Sequence, residues 1–509
     1  MEIEELITEL LKIREAILSS EEKYQKLIDS VHPNYLYSAR NFVRYLQLRT
    51  FELRPIQEQL SALGLSSIGH SERYVLANIE NILYFLHLYV GRSFQGRFDL
   101  GDHPVNYFKS IHVLDENTER LLGTSNQSFH TRIMVTLPTE AAHDSQLIRD
   151  LMDAGMENAR INCSHDTPDD WDRMAANVRE VAAETNRDCK IYMDIPGPKL
   201  RTGVVRWQEE SGKEKNFIRL KPGDVLKVCR AELEGHAAVY SESGELIEPA
   251  CISISLPTVV DDVAPRHRIW FDDGKIGGVI EEVRPDYFMV KILRAKPGGS
   301  KLAAEKGINL PDTKLNLPAL PDEDLEILPF LVKTADLIGY SFVRTADDVR
   351  FLQLKLKELN RPEIGIVLKI ENQEAFSNVP ELLLTAMHSP NIGLMIARGD
   401  LAVELGPERI SEVQEMLLWL CEAAFIPNIW ATQVLERLAK EGIATRSEIT
   451  DASMSARSEC VMLNKGEHIV ETVRILSSIL SRMEAHQYKK KGTLRPLAVA
   501  GRFFDRAIS

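Results

Sequence analysis

Six short apolar runs in this chain of 509 residues end on side chains suited to anion and cation chemistry. Arg160, Asn162 and Ser164 close the first, Asp194 the second, Ser341 and Arg344 the third, Lys369 and Glu371 the fourth, Asp400 the fifth and Thr432 the sixth. Paired carboxylates give hard oxygen ligands to a divalent cation such as Mg²⁺, which keeps its remaining positions for water and phosphate oxygens. Arginine and lysine neutralise the charge of a transferring group. For any one of these residues a structural salt bridge is the plain alternative. Their recurrence at the ends of consecutive runs favours a site for phosphate and a divalent cation.

Such a site needs elements that bring those ends together. From Thr131 onward, β-branched runs alternate with amphipathic stretches, the pattern of parallel βα units. The runs are RIMVTL (132–137), NARINCS (158–164), CKIYMDI (189–195), ADLIGYSFV (335–343), IGIVLKI (364–370), NIGLMIA (391–397), IPNIWAT (426–432) and ECVMLN (459–464). Eight of them fit an α/β fold of the (β/α)8 TIM barrel type better than a doubly wound sheet of five or six strands. A barrel directs the last residues of each strand into its C-terminal mouth.

Between Gly203 and Lys306 the helical period vanishes, and FIRL, VLKV, ISIS, RIWF and YFMVKIL alternate around the turns KPGD, DDGK and RPD. This predicts an inserted β-barrel lid over the mouth. Upstream, Ile3, Leu6, Ile7, Leu10, Leu11, Ile13 and Ile17 recur at helical spacing, as do residues of 42–48 and 75–88, which predicts an N-terminal all-α domain punctuated by turns such as 90–104. Its His32, His70 and His87 read as core or surface residues. The expected boundaries are 1–128 for the helical domain, 129–203 and 306–485 for the barrel, 204–305 for the lid, and 486–509 for a short basic tail.

Composition limits the partners. Sixty-one basic against 75 acidic side chains leave a net charge of −14, a field that repels nucleic acid and anionic lipid. The acidic start MEIEELITELL and the lack of a long apolar run lead us to expect a cytoplasmic protein without a membrane segment. The six cysteines are nowhere closer than Cys229 and Cys251, so no zinc spacing exists, and small buried side chains are expected.

The segments ARINCSHD, DIPGPKLRTG, FDDGKI, KGINLPDTKLNLPAL, SFVRTADDV, LKIENQEAFSN, MIARGDLAVELG and ATQVLERL resemble, in order, the motifs of the pyruvate kinase family. The resemblance covers roughly residues 131–479. It implies phosphoryl transfer between phosphoenolpyruvate and ADP, giving pyruvate and ATP, with Mg²⁺. Lys369 then matches the catalytic lysine, and Glu371 and Asp400 the Mg²⁺ carboxylates. Arg160 matches the arginine on the phosphate and Thr432 a residue beside the enolate carbon. The backbone of Arg398, Gly399 and Asp400 would meet the substrate carboxylate, with Ser341, His165 and Arg201 also on the substrate and nucleotide side. Asn162, Ser164 and Asp194 match a monovalent-cation site. The family divides there between Glu and Lys, and Lys199 stands at that position, which implies that K⁺ is not required.

Some positions depart from the family pattern. TLPTEA follows the first strand where the family reads TIGPAS, and MLNKGEH, with Asn464 and Lys465, follows the eighth where it reads MLSGETA. The helical region has no counterpart in the ordinary family architecture, and only about 25 residues follow the barrel where the family carries an effector-binding domain, so activation by that route is expected to be absent. These departures keep two alternatives: a pseudoenzyme that binds or regulates on the same fold, and a barrel lyase acting on phosphoenolpyruvate or pyruvate. Homo-oligomerisation is left open.

Overall fold

The computed structural model describes the chain except residues 1, 66–67, 95, 97–105, 209–211, 319, 485, 490 and 493–509. Most of the turn expected at 90–104 and of the basic tail lies outside the described residues.

Eight parallel strands close into a barrel in sequence order. They are β1 (Arg132–Thr136), β2 (Asn158–Asn162), β3 (Lys190–Ile195), β4 (Leu337–Tyr340), β5 (Gly365–Ile370), β6 (Ile392–Ala397), β7 (Asn428–Ala431) and β8 (Cys460–Leu463). Closure is made by β8 against β1, with Arg132 opposite Cys460 and Val135 opposite Leu463. Each strand falls inside one of the eight apolar runs, and nearly every strand residue is buried, as expected for strands covered on both faces. Leucine, valine and methionine side chains fill the interior, among them Met134, Leu337, Val367, Met395 and Met462. All six cysteines are free and buried.

The N-terminal region forms α1 (Ile3–Lys23), α2 (Gln25–Ser30), α3 (Leu36–Leu48), α4 (Arg54–Ala62), α5 (Val75–Tyr89) and α6 (Tyr107–Leu122). Leu6, Ile7, Leu10, Ile13 and Ile17 are the buried stripe of α1, and the apolar residues of α1 to α5 run on without a break into those packed around the barrel. Buried Asn41 ties the two together: its amide donates to the Glu72 and Ala423 carbonyls at 2.7 and 2.8 Å. The end of α6 reaches the N-terminal floor of the barrel. Leu121 and Leu122 join the interior cluster there, and glycines at 365 and 393 make the room, since a Cβ on either would come within 2.8 and 2.5 Å of the Leu121 methyl groups. The histidines have local roles. His32 accepts a bond from the Asn34 N–H, and the His87 ring bonds the Leu83 carbonyl oxygen at 2.8 Å.

The insert folds around its own apolar core, with Leu226, Val228, Ile252, Ile269, Phe271, Ile280 and Val290 at its centre. Its main sheet has six strands, in the spatial order 250–253, 225–229, 287–294, 276–284, 268–271 and 308–309. A two-stranded ladder of 217–220 with 300–303 shares that core. Four of the five expected runs are strands throughout, and ISIS (252–255) enters the strand 250–253 with its first two residues. The longest strand, Ile276–Arg284, was not expected, because IGGVIEEVR places two glycines and two glutamates where alternation was sought. No helix among the described residues is long and apolar enough to cross a membrane.

Candidate active site

A cavity of about 320 Å³ opens at the C-terminal mouth of the barrel, walled by the strand ends, by Asp272, Asp273 and Glu305 of the lid, and by Lys306 and Gly307 on the segment returning from it. Arg160, Asn162, Ser164, His165, Asp194, Lys199, Arg201, Ser341, Lys369, Glu371, Asp400 and Thr432 all line it. Residues separated by up to 272 positions therefore meet, because every strand runs the same way and ends at the same rim.

The floor of the cavity is a buried charge network. Arg160 reaches from β2 to β3, its Nε donating to Asp194 Oδ2 at 2.7 Å, while its Nη1 donates to Thr136 Oγ1 on β1 at 2.9 Å. Lys369, at the end of β5, donates to Ser341 Oγ at 2.7 Å and lies 3.1 Å from Glu371 Oε1 and 3.5 Å from Asp194 Oδ1. Burial alone would push Asp194 up, but Arg160 and Lys369 outweigh it and hold the carboxyl below its usual range. Burial likewise acts to lower Lys369, and Asp194 and Glu371 overcome it, so the ammonium stays charged. Fixed positive charge thus sits buried and preorganised at the site, where it acts strongly on a developing anion.

Glu371 and Asp400 are the hard-oxygen pair. Glu371 Oε2 accepts the Phe342 N–H at 2.6 Å, which fixes its carboxylate toward the cavity. Burial raises its pKa, Lys369 opposes that, and the like charge of Asp400 raises it further. Two carboxylates crowded in this way favour a cation between them, and the residues present fit the two-carboxylate sets that hold Mg²⁺. Among the described residues no group of three or more His, Cys, Asp or Glu side chains could hold a metal.

Three of the residues singled out from the sequence behave differently. The Arg398 guanidinium turns away from the cavity, pairing with Asp451 at 2.5 Å, donating to the Ala431 and Thr432 carbonyls and stacking on Trp430. Gly399 does not line the cavity, and its N–H is already given to Thr432 Oγ1 at 2.8 Å. Arg344 holds the chain returning from the lid through the Leu315 and Leu317 carbonyls, beside a second cavity of about 370 Å³. Thr432 itself sits at φ 65°, in the left-handed region that a β-branched residue adopts only at a cost, so its hydroxyl is placed against the backbone's preference.

Two contributors escaped the sequence reading. Tyr192 shares the inward face of β3 with Asp194 at two-residue spacing, and Gly339 leaves the room, since a Cβ there would come within 1.9 Å of the tyrosine hydroxyl and 2.3 Å of Asp194 Oδ1. Glu404 lies one turn after Asp400 on α7 (Arg398–Leu405) and accepts a bond from Asn309 Nδ2 of the lid at 2.9 Å. Burial pushes its carboxyl up to about 7. The spacing of Asp400 and Glu404 was the available signal; the partner, 95 positions away, was not. The TLPTEA departure also has a local account: Thr139 opens a short 3₁₀ turn and donates to Asp166 at 2.6 Å, joining the loops after β1 and β2.

Comparison with known proteins places this arrangement. The family model for the barrel domain of pyruvate kinase matches residues 129–472. The chain is 33% identical over 361 residues to the pyruvate kinase of Geobacillus stearothermophilus, covering 70% of this chain and 57% of that protein. It is 32% identical over 368 residues to that of Staphylococcus epidermidis, covering 71% and 58%, and 30% identical over 401 residues to pyruvate kinase PKLR of Rattus norvegicus, covering 76% and 64%. It therefore spans less than two thirds of the length of these relatives. With its barrel closed, its strand ends gathered on one cavity and more than half its length matched by the barrel model, the chain belongs to the pyruvate kinase family.

Proposed function

We propose that this chain transfers a phosphoryl group between phosphoenolpyruvate and ADP, giving pyruvate and ATP. The observation that carries this reading is Lys369, whose buried ammonium is held by Ser341, Glu371 and Asp194 at the foot of the cavity. A phosphoryl group entering from the lid side meets Arg160 and Lys369, whose fixed charges need no reorganisation as charge develops on the enolate oxygen. Glu371 and Asp400 would hold Mg²⁺, which supplies Lewis-acid charge to the phosphoryl oxygens. The Thr432 hydroxyl accepts the Gly399 N–H, which leaves its own proton for an acceptor in the cavity, where it can take part in protonating the enolate carbon. Arg201, His165 and Lys306 supply basic groups on the lid side for the nucleotide phosphates. Lys199 supplies the charge that K⁺ would bring, so K⁺ is not required.

The test is turnover of phosphoenolpyruvate and ADP with Mg²⁺ by the purified chain, pyruvate being reduced by an added dehydrogenase. We expect turnover above blank. None across several nucleoside diphosphates, in folded protein, overturns the proposal in favour of a binding role on the same fold.

A further inference from the structure

Lys199 does not lie idle in the cavity. Its Nζ stands 3.2 Å from Asp400 Oδ1, and its ammonium lies 5.7 Å from the centre of the Phe342 ring. Asp194, by contrast, is taken by Arg160 and Lys369. In the strand-end network Asp194, Glu371 and Asp400 face Arg160, Lys369 and Lys199, and Arg201, Lys306, Asp272, Asp273 and Glu305 add further charges of both signs to the cavity wall. A divalent cation set between Glu371 and Asp400 would meet the Lys199 ammonium on the same Asp400 carboxylate. The ammonium and the ion then compete for that carboxylate.

Of the three cations, Lys199 is the one with freedom to move. The Arg160 and Lys369 side chains are each 10% exposed; Arg160 bonds Asp194 and Thr136 on the two flanking strands, and Lys369 bonds Ser341 and pairs with Asp194 and Glu371. Lys199 is 28% exposed, is anchored by the Asp400 contact, and hangs on a flexible stem from the segment that leads out of β3 into the lid. Its Cε lies against Gly307, where an added Cβ would come within 3.3 Å, on the segment returning from the lid. The lysine can leave Asp400 by turning its stem, without moving a strand. We propose that Lys199 is an intramolecular competitor for the divalent cation, seated on Asp400 in the metal-free protein and displaced when the metal binds, so that it sets the metal affinity of the site. This rests on the reading of Glu371 and Asp400 as the metal carboxylates.

Direct Mn²⁺ binding, followed as loss of the free-ion electron paramagnetic resonance signal without substrate, separates the two. An ion pair of this exposure is worth about 1 kcal/mol, so Lys199→Met should bind Mn²⁺ about fivefold more tightly than the wild type. Lys199→Arg should stay near the wild type, and Asp400→Asn should lose binding. Unchanged or weaker binding by Lys199→Met, with binding lost in Asp400→Asn, overturns the competitor proposal alone. Full binding by Asp400→Asn overturns the metal reading beneath it. Displacement, as against simple charge repulsion, is read by acylating lysines with and without Mn²⁺ and quantifying Lys199 by mass spectrometry. Its reactivity should rise with Mn²⁺, and equal reactivity in both states overturns the displacement.

Discussion

The two ends of the barrel are built from the same kinds of residue. At the mouth, Arg160, Asp194, Lys369 and Glu371 form a buried ionic network. At the floor, Arg73 lies 3.5 Å from Glu422, Glu459 accepts bonds from the backbone and side chain of Asn428 at 3.0 and 2.7 Å, and Lys489 pairs with Glu459 and donates to the Arg457 carbonyl at 3.2 Å. The difference is what lies next to each network. The mouth faces a cavity, whereas the floor is covered by Leu121, Leu122 and the N-terminal helices. Buried charge by itself does not mark a site; an open side does.

That contrast can be broken at either end. At the floor, Arg73→Met leaves Glu422 buried without that arginine and should cost about 3–5 kcal/mol of stability, read by denaturant unfolding. Turnover per folded molecule should not change; a large loss of turnover at full stability would place the floor in the chemistry. At the mouth turnover is the quantity expected to move most. Lys369→Met should lower turnover on the order of 10²-fold or more while circular dichroism stays native, because it removes a preorganised charge at the enolate. A fully active Lys369→Met variant defeats the functional proposal.

Smaller effects sharpen the picture of the mouth. Phosphoryl transfer and enolate protonation are separable, and Thr432→Val should slow deuterium exchange into the methyl group of pyruvate, with ATP and Mg²⁺ present, by about tenfold or more. Exchange at the wild-type rate would move the proton path elsewhere, with Lys465 the next residue to vary. Glu404 gives a pH effect with a defined sign. Its folded-state value of about 7 lies above the ordinary glutamate range, so the folded protein holds a proton that the unfolded chain has lost. Its contribution is complete below the unfolded value and is lost as pH rises toward 7. Wild type should therefore lose more stability than Glu404→Gln between pH 5 and pH 7.5, and parallel unfolding curves would refute this. Smallest of all, replacing K⁺ by tetramethylammonium at constant ionic strength should change activity by less than about twofold, while Lys199→Glu should create a K⁺ requirement.

The barrel was legible because each strand is a short β-branched run that ends on a polar side chain, so period and punctuation agreed at RIMVT, GIVLKI and IGLMIA. The cavity was legible for the same reason, since a residue at a strand end has one place to go. What local sequence did not disclose was which particular distant partner a side chain takes. The orientation of Arg398 depends on Trp430 and Asp451, the role of Glu404 on Asn309, and the seat of Lys199 on Asp400, contacts that no local spacing encodes.

The plug at the floor bears on where the molecule can be divided. The match to the family's barrel model begins at residue 129, yet Leu121, which occupies the gaps left by Gly365 and Gly393, lies before that point. A fragment cut at the edge of the matched region would keep every strand and every residue of the mouth, and would open a hole beneath them. Ancestry and mechanical wholeness thus draw different borders on the same chain, and the usable cut for an isolated barrel lies ahead of α6.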